Sequence, residues 1–245
     1  MNYNWHWGVF FTEAIPGQTY LSWLMSGLAL TVSLGLGAWV IGLTLGSVVG
    51  VLRTVSNRWL TGLAAAYVEV FRNIPLLVQL FIWYFVVPEL LPGAIGTWIK
   101  QLNPLLQQML AGVVCLGIYT STRIAEQVRS GIASLPRGQR HAGLALGFTT
   151  AQTYRYVLLP VAFRIIVPPL TSEFMTVFKN SAVMSMIGLL ELAAHGRQLV
   201  DYTSQPYESF AAVTLLYILI NLTALSLMRW IEKRVQIPGM LAGNP

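Results

Sequence analysis

The sequence predicts an all-α integral membrane protein, a bundle of five transmembrane helices forming one domain over residues 1–245. Two observations predict it. Of the 245 residues, 55% are apolar and 10% are charged, whereas soluble domains carry roughly 25% charged residues. The few charges also fall mainly between long apolar runs. Lipid must therefore solvate much of the surface.

The spans follow in order. Residues 14–52 contain no charge; a crossing needs about 20 apolar residues, so a tilted or partly interfacial first span is placed at 21–52. The second is placed at 64–87, with Glu69 and Arg72 near its start and Arg72 with Pro75 read as a helix-entry device near the cytoplasmic side. Residues 101–122 are charge-free and lead into Arg123, Glu126 and Arg129, which gives a third span at 105–133. The fourth is placed at 165–190, interrupted by Glu173 and Lys179, and the fifth at 209–230, followed by Lys233 and Arg234.

Charge sets the orientation. Arg53 and Arg58 follow the first span, Arg137, Arg140, Arg155 and Arg164 lie between the third and fourth, and Arg229, Lys233 and Arg234 close the fifth. The other loops carry mainly acids: Glu89 with Lys100, and Glu191, Asp201 and Glu208 with Arg197. Basic loops stay in the cytoplasm. An N-terminus outside, a C-terminus inside and five spans satisfy every loop. The net charge of +6 is thus explained by membrane orientation, not by nucleic acid.

Other classes are disfavoured. Cys115 is the single cysteine, so no internal disulfide can form, and His6, His141 and His195 lack metal-ligand spacing. The first twelve residues hold no Lys or Arg, so no basic region of a cleavable signal peptide is expected. Trp5, Trp7, Phe10 and Phe11 read as an outer interfacial segment, since aromatic rings favour the headgroup level. Ala38, Gly42, Gly46 and Gly50 form a stripe of small residues that lets another helix approach, in this chain or in a partner.

The segment 134–160 is amphipathic and cytoplasmic in this orientation. Pro136 suits a helix start and Gly147 a helix end, and Thr149 or Thr150 suits the cap of a second short helix reaching Leu159. Two short helices joined at a glycine form either an ordinary surface pair or an element that couples a soluble partner to the spans. The register His141-Ala142-Gly143, Gly147, Val157, Leu159-Pro160 resembles the EAA loop of binding-protein-dependent ATP-binding-cassette (ABC) import permeases: Glu-Ala-Ala, three residues, Gly, nine residues, Ile, one residue, Leu-Pro. His141, Gly143 and Val157 depart from that pattern. Three further stretches resemble the branch for polar amino acids (histidine, glutamine, glutamate). They are Val68 to Leu80, Ile124 to Ile132, and Pro168 to Phe174 followed by Lys179-Asn180-Ser181. The opening Asn4-Trp5-His6-Trp7-Gly8 and the run Ser134 to Gln139 are similar to membrane subunits of glutamate/aspartate importers.

The resemblance implies a type I ABC importer permease. It implies a second permease subunit in a heterodimer, a dimeric ABC ATPase on the cytoplasmic side that holds ATP and Mg, and an extracytoplasmic substrate-binding protein. This chain would hold no cofactor. Gln139, His141, Ala142, Gly143, Gly147, Leu159 and Pro160 are then the residues expected to couple to the ATPase.

Ionisable groups inside a span usually face the bundle interior. Glu126 and Arg129 are expected to neutralise one another at i,i+3. Arg123 either pairs with Glu126 or offers its guanidinium fork to a substrate carboxylate. Lys179, with Asn180 and Ser181, either contacts substrate or pairs with another helix. Glutamate or aspartate is the expected cargo, with glutamine or another polar amino acid as the alternative. A secondary transporter or channel would show internal repeats, and none is seen. A membrane enzyme would need a catalytic constellation, and no Walker A pattern occurs either.

Overall fold

With neither a proline nor a charge between Tyr20 and Leu52, nothing interrupts the backbone ladder, and α1 runs unbroken over Tyr20–Leu52. The computed structural model describes residues 3–235, and the chain's C-terminal end, expected inside the cell, lies outside them. A short hairpin, β1 (Glu13–Ile15) with β2 (Gln18–Thr19), precedes α1.

Pro75 decides the next element. A residue before proline avoids the helical region, and Pro75 itself is extended at φ −56°, ψ 141°. The chain therefore breaks between α2 (Arg58–Asn73) and α3 (Leu76–Phe81), and the pair is bent by 102°. The helix expected to run continuously over 64–87 is thus broken at Pro75, which stands inside it and not at its entry. Asn57 caps α2 from the side, accepting from the Trp59 N–H at 3.0 Å.

α3 continues through a π-turn, Ile82–Val86, into α4 (Val87–Leu90). α5 (Gly93–Lys100) follows, with Lys100 Nζ 3.0 Å from Glu89. α6 (Pro104–Ala133) starts where expected; Asn103 caps it by accepting from the Leu105 N–H at 2.8 Å. α7 (Arg137–Ala145) and α8 (Thr150–Thr153) come next. A π-turn at Tyr154–Leu158 leads from α8 directly into α9 (Leu159–Asn180).

The fourth span is therefore longer than the expected 165–190, covering Thr150–Ile187 with its closing 3-10 turn. Pro160 sits inside its first turn instead of ending a separate short helix. The wide turn explains why. Proline lacks the N–H that bonds i−4 and clashes with that carbonyl, and a π-turn just before it opens the ladder. Pro88 follows the π-turn at Ile82–Val86 in the same way. α10 (Leu192–Thr203) was not expected, and α11 (Pro206–Val235) extends the fifth span at both ends. Among the described residues, four helices are long and apolar enough to cross a membrane, or five with the bent pair counted as one span.

The described residues pack as two compact units, each made of three separated segments: residues 3–40, 74–117 and 176–223 in the first, and 41–73, 118–175 and 224–235 in the second. The first is built around Leu34, Leu80, Leu116, Met184 and Leu189. Two buried carboxylates organise its ends. Glu191 caps α10, accepting from the N–H groups of Ala193 (3.0 Å) and Ala194 (2.8 Å), and takes the Tyr217 hydroxyl at 2.8 Å. Glu208 accepts from the Tyr3 hydroxyl and, at 2.6 Å, from the His6 N–H. Burial and the Glu208 carboxylate push the Tyr3 hydroxyl up to about 12. Trp5 and Trp7 stack beside this anchor with their rings exposed.

The second unit packs Val49, Ala64, Val68 and Ala125 together. Here the stripe of small residues meets α6 of the same chain. A Cβ on Gly46 would lie 2.7 Å from the Ser121 carbonyl, and one on Gly50 would lie 2.6 Å from Val128 Cβ.

Candidate coupling and translocation site

All the residues expected to couple to an ATPase lie in the second unit, from Gln139 in α7 to Pro160 in the first turn of α9. The local chemistry fixes their shape. Gly147 adopts φ +85°, which favours glycine, and closes α7. The Phe148 N–H donates to the Gly143 carbonyl at 3.1 Å and the Gly147 N–H to Leu144 at 3.0 Å, a Schellman closure. Thr149 then opens α8 with a capping box: Gln152 N–H donates to Thr149 Oγ1 (3.3 Å), and Thr149 N–H donates to Gln152 Oε1 (2.8 Å). α7 folds onto α8 at Gly143, where a Cβ would come 2.9 Å from Thr153 Cγ2.

This packing divides α7 into two faces. Gly143 is buried and Gln139 half-buried, so both support the pair from within. His141 and Ala142 are exposed. At the root of the element, Tyr154 donates its hydroxyl to the Thr54 carbonyl at 2.7 Å, and Arg140 reaches Ser56 Oγ at 3.0 Å. The α7–α8 element is thereby tied to the loop that follows α1.

Next to Thr54 stands Arg53, and here the structure adds a residue that spacing did not reveal. Glu126 joins two cations: Arg129, as expected, whose Nε donates at 3.0 Å, and Arg53 from the end of α1. A cation just beyond the charge-free run 14–52 was the available signal, but which acid it meets depends on the α1–α6 crossing. The contacts thus run from α8 through Tyr154 and Thr54 to Arg53, Glu126 and α6.

Arg123 does not pair with Glu126. Its guanidinium donates to Tyr119 Oη at 2.8 Å, lies 5.1 Å from that ring's centre, and faces Glu173 on α9 at 3.9 Å. A 3.9 Å separation exceeds hydrogen-bond length, and the Arg123 side chain is 43% exposed. Glu173 also accepts from Gln127 Nε2 at 3.4 Å. Arg123, Tyr119, Glu173 and Gln127 form a mixed-charge cluster with an open guanidinium. A cavity of about 390 Å³ between α6 and α9 is lined by Glu126, Gln127, Ser130, Ser134 and Pro169 among others.

Lys179, Asn180 and Ser181 belong to the first unit. Lys179 is exposed and makes no ion pair among the described residues. Asn180 ends α9. Ser181 is buried and donates to the Phe178 carbonyl at 2.7 Å. Among the described residues no group of three or more His, Cys, Asp or Glu could hold a metal ion.

The comparisons agree with this architecture. The family described as "binding-protein-dependent transport system inner membrane component" matches residues 42–237. The chain is 51% identical to the glutamate/aspartate import permease protein GltJ of Escherichia coli (strain K12), over 100% of both chains. It is 29% identical to the glutamate/aspartate import permease protein GltK of Escherichia coli O6:H1, over 87% of this chain and 94% of that one. It is also similar to a crystal structure of an amino acid ABC transporter with histidines, with a TM-score of 0.72 and 31% identity over 88% of this chain and 95% of that one. A match across most of the chain, with the fold of solved type I importers and membrane-length helices, makes this protein a member of the binding-protein-dependent ABC permease family of the inner membrane.

Proposed function

We propose that this chain is one of two permease subunits in an importer for acidic amino acids, glutamate and aspartate. The observation that carries the reading is the 51% identity along the full length with a permease named for those two amino acids. An extracytoplasmic binding protein delivers the substrate. A dimeric ATPase on the cytoplasmic side holds ATP and Mg and drives the cycle, while this chain hydrolyses nothing. The similarity to both GltJ and GltK supports a heteromeric pair.

Charge supports the orientation. The second unit carries twelve Lys and Arg against four Asp and Glu, a net of +8. The first carries three against five, a net of −2. Basic connecting segments stay in the cytoplasm, and Arg53, Arg137 and Arg140 stand in such segments, which supports an N-terminus outside.

Arg123 is the residue to receive a substrate carboxylate. Its bidentate fork suits that group, it is exposed, and Glu173 stands too far away to satisfy it. Glu173 in turn suits the substrate ammonium. Lys179, Asn180 and Ser181 are further candidates for the path, with Lys179 the one free to meet a second carboxylate.

ATP hydrolysis by the reconstituted complex tests the reading, with the binding protein loaded in turn with glutamate, aspartate, glutamine and histidine. Stimulation by the acidic pair alone is expected. Stimulation by glutamine or histidine would replace the substrate, and absence of an ATPase from the purified complex would overturn the proposal. Arg123→Ala is expected to abolish aspartate uptake while the complex still assembles; uptake at the wild-type rate would remove Arg123 from the path.

A further inference from the structure

We infer that α2 lies in the plane of the membrane interface and binds the headgroup layer of anionic phospholipid. The helix carries two apolar stripes. Ala64 and Val68 are buried with Val49 and Ala125 in the core of the second unit. Trp59, Leu63, Ala66 and Val70 follow one another at i, i+4, i+7 and i+11, which puts them on one helix face. All four are exposed, Trp59 by 83% and Leu63 by 69%. Arg58, Gly62, Glu69 and Arg72 share a further face, at i, i+4, i+11 and i+14, and they are exposed as well.

The charges decide how such a helix sits. At 1.5 Å per residue, Glu69 and Arg72 stand about 16 and 21 Å from Arg58 along the axis. A helix crossing the bilayer would hold both deep in hydrocarbon. Among the described residues neither takes part in an ion pair, and an unpaired charge at that depth is costly. Lying in the interface removes the cost, because the polar face then turns to water and the Trp59 stripe to the acyl boundary. The break at Pro75 permits this arrangement, since α2 does not continue into α3. The crossing is left to the segment beyond Pro75.

Charge and side-chain size select the occupant of the exposed stripe. Two exposed arginines against one glutamate border it, which complements an anionic headgroup layer. Trp59, the bulkiest residue of the stripe and the neighbour of Arg58, suits the headgroup level. Close contact with another helix in the membrane favours small residues instead, so a protein partner fits this face less well than lipid.

The test uses the whole complex in nanodiscs of phosphatidylcholine, with and without phosphatidylglycerol, its other subunits free of reactive cysteine. Gly62→Cys, Leu63→Cys and Val70→Cys are made one at a time and spin-labelled. Cys115 is buried and stays unlabelled, and a side chain added at Gly62 meets open space. The labels at 63 and 70 are expected at equal depth and within reach of oxygen, and the label at 62 within reach of a water-soluble nickel chelate. In a crossing helix those seven residues would separate the two depths by about 10 Å, and that result would overturn the inference. So would labels at 63 and 70 shielded from oxygen and nickel alike, since a protein would then cover the stripe. Lipid preference is read from a fluorophore at 63, quenched by acyl-brominated phosphatidylglycerol or by acyl-brominated phosphatidylcholine. Phosphatidylglycerol is expected to quench more strongly, and each of Arg58→Gln and Arg72→Gln to lower that preference about fivefold. Equal quenching by the two lipids in wild type, or a preference unchanged in the double variant, would also overturn it.

Discussion

In the first unit, Glu191 and Glu208 are fully buried and held by neutral donors: backbone N–H groups and the hydroxyls of Tyr217 and Tyr3. In the second, Glu126 is held by two guanidiniums and Glu173 faces a third. The difference separates architecture from machinery. Glu191 is capped by the N–H groups of the helix it opens, Glu208 by donors from the start of the chain, and with neutral donors neither needs a counter-ion. A carboxylate shared among arginines on different helices depends on how those helices cross, and another anion can compete for the cations. The unit built in the second way is also the one that carries the net charge of +8 and the α7–α8 pair.

That comparison can be broken at its strongest point first. Glu126→Ala leaves Arg53 and Arg129 without their shared acid, and Arg53 is only 15% exposed. Glu126 is 28% and Arg129 36% exposed, so a loss of about 2–3 kcal/mol is expected, between that of an exposed and of a fully buried pair, read as a lower thermal midpoint of the complex in detergent. An unchanged midpoint would mean the network is not structural. Gly50→Val comes next. Its side chain would meet Val128 and the Ala125 carbonyl, and overpacking of this kind costs about 2 kcal/mol. The same unfolding measurement checks it, with Gly62→Ala, at open space on α2, as the control.

In the first unit the expected effects are smaller. Glu191→Gln keeps one acceptor but loses the charge-assisted cap, and a cost of about 1 kcal/mol is expected. A loss as large as that of Glu126→Ala would erase the distinction drawn between the units. The smallest effect is with pH. His195 is buried against Gly27, with Trp23 beside it, and burial lowers its pKa. The fold thus prefers the neutral ring, so its contribution is present above the ordinary imidazole value of about 6.5 and is lost as pH falls below it. The thermal midpoint should fall slightly between pH 7 and 5.5, and His195→Gln should flatten that part of the curve.

Particular residues mark how far the sequence could be read. The charge-free run 14–52 announced α1, and the runs before Arg123 and Arg229 announced α6 and α11, because span length follows from composition alone. Gly147 and Thr149 announced the turn between α7 and α8, because positive φ and side-chain capping are properties of single residues. Pro75 and Pro160 were harder. Pro75 reads as the entry to a span and Pro160 as the stop after a short helix, yet proline at 75 broke a helix while proline at 160 was absorbed by a π-turn. α5 and α10 are short: Ala94, Ile95, Trp98 and Ile99 in the one and Leu192 and Leu199 in the other stand at helical spacing, but each run is too brief to mark a span and reads as part of a loop.

The same line divides the site. Glu126 with Arg129 was readable because i,i+3 neighbours share a helix face. Arg53 with Glu126 and Arg123 with Glu173 were not, since each pair joins residues far apart in the chain. By itself the sequence determined a membrane bundle, the sign of charge on each loop and the shape of the turn between α7 and α8, all of which are set by local chemistry. Only the tertiary structure decided which carboxylate each arginine meets and which face of α7 stays exposed. Those depend on the angle and register at which helices cross, and residues far apart in the chain set both.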